Sequence, residues 1–93
     1  MKVHELKCRP DLFIAIHYGW KRWECRLNDR DYQLGDLLLL KPFPLTTNDM
    51  GMPNSILCKA IRITTADDLT AFGNPLAPDW VIMDIERIKL VAA

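Results

Sequence analysis

No unbroken apolar run in this chain exceeds five residues, and the most uniform is Leu37 to Leu40, four leucines in a row. A helix that spans a bilayer needs about 20 such residues, so the run is far too short for that role. It is what a strand covered on both faces looks like, and Pro42 and Pro44 end it. A chain of 93 residues has little room for a second core, so a single domain over residues 1–93 is expected.

The other elements read as short pieces around that strand. Val3 to Cys8 alternates and predicts a first strand. Pro10 and Asp11 suit the first turn of a helix, the proline by its fixed φ and the aspartate by its charge. Leu12, Phe13, Ile16 and Tyr18 follow at roughly helical spacing, and Gly19 is a natural stop. Trp20 to Leu27 predicts a second strand. Its alternation assigns Trp23, Cys25 and Leu27 to the core, and Arg22, Glu24 and Arg26 to solvent or a cleft. Lys21 has the wrong parity to join Glu24 unless the strand starts after it. Asn28 to Asp31 is a turn cluster followed by Tyr32, expected to plug the core. Residues 44–55 predict an exposed loop. Ser55 to Thr65 predicts a strand, Asp67-Asp68-Leu69 a helical turn, and Asp79 to Val91 a closing strand with Val81, Met83 and Ile85 on one face. A strand, a helix, then several strands define a small α+β domain whose strands curl into a barrel.

Charge narrows the partners. Twelve basic and twelve acidic side chains give a net charge of zero, which argues against gripping long duplexes by bulk electrostatics. Three cysteines at wide spacing, Cys8, Cys25 and Cys58, form no Cys-x-x-Cys pair, so neither a zinc site nor a redox centre is expected, and buried free thiols are. His4 and Cys8 would lie roughly 13 Å apart on a strand, too far to share a metal. His4 and His17 are read as structural. The N-terminus shows no signal-peptide pattern, and a reducing cytoplasm is the expected location.

The chemistry concentrates in Gly19 to Arg26. Glu24 between Arg22 and Arg26 would be held ionised by its neighbours, able to accept from the N–H of a nucleobase; the same spacing also suits a surface charge ladder. Lys21 suits a base or nucleophile in a dry pocket, an anion anchor beside Glu24, or a solvated lysine at a helix end. Trp20 is the more open of the two neighbouring tryptophans and a candidate stacking platform.

Gly19-x-Lys21-x-x-Glu24-x-Arg26 resembles the GxKxxExR signature of ASCH domains, members of the PUA-like superfamily. Together with His4-Glu5-Leu6-Lys7, Phe13 and the segment Asn28-Asp29-Arg30-Asp31-Tyr32-Gln33-Leu34-Gly35-Asp36, it is similar to a smaller ASCH-type family. That family is domain of unknown function 3850, frequent in phages and bacterial mobile elements. The resemblance implies a PUA-like β-barrel of about five to six mostly antiparallel strands with one or two short helices. It implies a cleft bearing Lys21, Glu24 and Arg26, with Lys7 at the rim. PUA-like relatives bind RNA, often at a modified base. One ASCH group deacetylates acetylated cytidine and another is reported to cut RNA. The deacetylating group has threonine where Glu24 stands here, so its lysine–threonine pairing does not carry over.

The expected function is binding of RNA or a nucleoside or nucleotide through Lys7, Trp20, Lys21, Glu24 and Arg26, with no cofactor, metal or membrane. One rival is a hydrolase acting on a modified nucleoside or on RNA, with Lys21 and Glu24 catalytic. The other is a phage protein that binds a host protein through residues 44–55.

Overall fold

The computed structural model describes residues 1–44 and 51–91. Among them five strands form one sheet: β1 Val3–Cys8, β2 Trp23–Leu27, β3 Leu37–Pro42, β4 Ser55–Thr65 and β5 Trp80–Val91. Helix α1 spans Pro10–His17, and a 3-10 helix spans Asp67–Phe72. The strand order is β1-β3-β4-β5-β2. β1 pairs with β3 in parallel, and the other three pairings are antiparallel. The result is a mixed, curved sheet, a half-barrel in the small α+β class that the sequence leads one to expect. Register shifts between Leu57 and Cys58 and between Ala60 and Arg62 mark bulges in the β4–β5 ladder, the device by which a long hairpin bends.

The core fills the concave side. Leu6 and Cys8 of β1, Leu38 and Leu40 of β3, Ile56, Cys58 and Ala60 of β4, and Val81, Met83 and Ile85 of β5 are all buried. Helix α1 lays Phe13 and Ile16 onto them. Pro10 opens the helix, Asp11 meets its N-terminus, and Phe13 N–H donates to Arg9 O at 2.9 Å.

Asp36 clamps the start of the parallel pair. Its carboxylate accepts from His4 Nε2 at 2.7 Å, from the Gln33 amide at 3.0 Å and from the Lys2 amide at 3.2 Å. Tyr32 is buried with its ring edge-on to His4, at 4.8 Å between centroids. Asn28 Oδ1 accepts from the Tyr32 amide at 3.0 Å. Much of the Asn28–Asp36 segment is therefore scaffold.

Three expectations are corrected. Strand β2 turns Glu24, not Trp23, toward the barrel: Glu24 is 3% exposed, Trp23 46% and Leu27 44%. The partner strand decides this. Directly paired residues share a face, and Glu24 and Arg26 pair with Met83 and Val81, the apolar inner face of β5. Cys25 is consequently only half-buried, unlike Cys8 and Cys58. The loop over residues 44–55 is not exposed throughout, because Met52, Pro53 and Ser55 are buried and Ser55 already belongs to β4. Residues 45–50 of that loop lie outside the described residues.

Candidate functional site

The site begins at the end of α1. Gly19 adopts φ +78°, a left-handed conformation that costs glycine little. The chain then folds back on the helix, and the amides of Trp20 and Lys21 both donate to Ala15 O, at 2.9 and 3.2 Å. Strand β2 starts only at Trp23. Lys21 is thus in the turn, free of strand parity, and its ammonium reaches back to Glu24.

Glu24 is gripped from both sides. Oε1 accepts from Lys21 Nζ at 2.9 Å, and Oε2 accepts from Arg26 Nε at 2.9 Å. Lys21 Nζ also donates to Trp23 O at 2.5 Å and lies 4.3 Å from the centre of the Trp23 ring. Every one of these contacts suits an ammonium. The carboxylate side chain is 4% exposed. A carboxylate so far from water persists only with charged partners, and the two cations supply them.

Arg26 also links the two edge strands of the sheet, β1 and β2. Its Nη2 donates to Lys7 O on β1 at 2.6 Å, and Arg30 Nη1 donates to Glu5 O at 2.9 Å. Between these edges lies a cleft of about 580 Å³. Lys21, Glu24 and Arg26 line one wall, Lys7, Cys8 and Leu12 the other, and Trp23 and Trp80 flank it. Two other hollows are of similar size. Chemistry rather than volume singles out this one, because it holds the buried carboxylate.

Four of the five expected site residues gather here. Lys7 sits at the rim, with its ammonium 4.4 Å from the centre of the Phe43 ring. Trp20 does not line the cleft; it is 76% exposed and stacked on Tyr18. Arg22, expected beside Glu24, is exposed and donates to Gly19 O instead. Arg30 and Trp80 were not singled out by spacing. Arg30 lies inside the Asn28–Asp36 motif, which carried a signal for it, whereas only the β2–β5 pairing brings Trp80 opposite Leu27.

Burial raises the Cys8 thiol to about 11, with the Glu24 charge adding to it and Lys21 and Arg26 opposing it. Cys8 is therefore wall, not nucleophile. Among the described residues no three His, Cys, Asp or Glu side chains gather to hold a metal ion. No helix there is long and apolar enough to cross a membrane.

Fold and site together define a small α+β half-barrel whose open seam carries a charged cleft. The chain belongs to the family described as Domain of unknown function (DUF3850), which it matches over residues 3–85. It is also similar to a solved structure described as the crystal structure of hypothetical protein PH0355, at 18% identity and a TM-score of 0.57. That likeness covers 95% of this chain and 100% of the other, and at such identity it speaks for the fold alone. No curated protein matches.

Proposed function

We propose that this protein binds RNA or a nucleoside in the seam cleft, one or a few nucleotides at a time. The observation that carries the reading is Glu24: an acceptor-only group, desolvated and prearranged between Lys21 and Arg26 at a cleft wall. Such a group selects ligands that bring N–H donors. The flanking cations suit carbonyl or phosphate oxygens, and Trp23 and Trp80 offer aromatic surface to a planar base. The resemblance of Gly19–Arg26 to ASCH domains, of the PUA-like superfamily, points to the same ligand class. Zero net charge fits a short ligand, since few phosphates are neutralised at once.

The hydrolase reading is weaker on geometry. Lys21 Nζ donates to Glu24 and to Trp23 O, which suits an anchor better than a base awaiting a proton. The reading of a phage protein that engages a host protein rests on residues 44–55, and nothing in the described part of that segment favours it.

The test is a titration of the purified protein with nucleosides and short RNAs, followed by mass spectrometry of the recovered ligand. Saturable binding, unchanged ligand and a loss of roughly tenfold or more in Glu24→Gln are expected. Release of acetate or cleaved RNA, abolished in Lys21→Ala, would establish the hydrolase instead.

A further inference from the structure

Each Glu24 oxygen has accepted one hydrogen bond, Oε1 from Lys21 and Oε2 from Arg26. A carboxylate oxygen carries two acceptor positions, so one remains on each. The pair accepts and never donates. With the side chain 4% exposed, water does little to relieve a mismatch there.

Among the common bases one edge fits this pair. Guanine presents two neighbouring donors, N1–H and the exocyclic N2–H. Adenine and cytosine each set an amine beside a ring nitrogen lone pair, which would face a carboxylate oxygen. Uracil flanks its single N–H with two carbonyls. The next group on the guanine edge is the O6 acceptor. Lys21 borders one carboxylate oxygen and Arg26 the other, and either cation suits O6.

Resting on the nucleotide-binding reading above, we infer that the cleft is specific for guanine, whose N1–H and N2–H donate together to the Glu24 carboxylate between Lys21 and Arg26.

The experiment titrates the wild-type protein with guanosine, adenosine, cytidine, uridine and inosine, and with pentaribonucleotides carrying each base between uridines. Guanine ligands are expected to bind at least roughly tenfold tighter than those of adenine, cytosine and uracil. Inosine keeps N1–H and O6 but lacks the amine, so it should fall between. Glu24→Gln offers one acceptor and one donor, which matches the amine and ring nitrogen of adenine and of cytosine, and its preference should move from guanine toward those two bases. Saturable binding without base preference, or with another base preferred, would overturn the guanine assignment and leave nucleotide binding intact. No binding of any ligand would overturn both. A guanine preference undiminished in Glu24→Gln would also overturn the assignment. If that variant fails to fold, the inosine comparison on the wild type decides alone.

Discussion

Glu24 and Asp36 are two inward-facing carboxyl groups held by different kinds of partner. Glu24 relies on full charges, Lys21 and Arg26. Removing it leaves two cations facing a largely dry wall. Glu24→Ala is therefore expected to cost about 3 kcal/mol, read from the urea midpoint. A cost near the roughly 0.5 kcal/mol typical of surface changes would mean that water screens the cluster. Asp36 relies on hydrogen bonds. Burial pushes its carboxyl up, but the His4 hydrogen bond and the Gln33 and Lys2 amides outweigh that and hold it at about 2, against an ordinary 3.8. The folded state thus binds this proton less readily than the unfolded chain. The clamp contributes stability above about 3.8, and that contribution is lost as pH falls toward about 2. Asp36→Asn should be less stable at pH 7 and should show a shallower loss of stability over that acid window. Parallel acid-denaturation profiles of the two proteins would refute the clamp.

At the scale of elements, the α1–β2 junction does more for the site than either element does. Gly19 has open space where a Cβ would stand, but its φ is +78°. Gly19→Ala is therefore a pure backbone test, expected to cost about 1–2 kcal/mol without any clash. If the turn relaxes to escape the strain, Lys21 leaves Glu24, so ligand affinity should fall along with the thermal midpoint. The requirement that Lys21 precede the strand was legible in the sequence, because strand parity forbade any other route to Glu24. The order of the strands and the short helix was legible too, from alternation and from Pro10 and Gly19. The inner face of β2 was not. Trp23, Cys25 and Leu27 look like a core stripe, and hydrophobicity within one strand cannot report that the partner strand already commits Val81 and Met83 to the interior. Thiol chemistry checks the corrected parity. Burial pushes Cys58 up to about 12 and Cys8 to about 11, so alkylation of the native protein should label Cys25 first. Equal labelling of all three cysteines would contradict the assigned faces.

For the whole molecule, the decisive feature is that no ladder closes the barrel among the described residues. Among the described residues β1 pairs only with β3 and β2 only with β5, and across the gap Arg26 and Arg30 donate to the β1 carbonyls of Lys7 and Glu5. An unpaired strand edge invites association with other chains, and guanidinium groups blunt this one while leaving room for a cleft. Arg26 belongs to both tasks, since one guanidinium holds Glu24 and Lys7 O. A lysine at this position keeps the charge but lacks the rigid fork that reaches two acceptors at once. Arg26→Lys combined with Arg30→Ala should therefore loosen the seam while sparing the β4–β5 hairpin, whose ladder has no part in it. Hydrogen exchange separates the outcomes. Amides of β1 and β2 should exchange roughly fivefold to tenfold faster, as expected for the loss of about 1 kcal/mol of local hydrogen bonding. Those at Ile56–Ala60 should keep wild-type rates. Uniform acceleration across all five strands would instead mean that the arginines support the whole fold, and that the cleft is no separate seam.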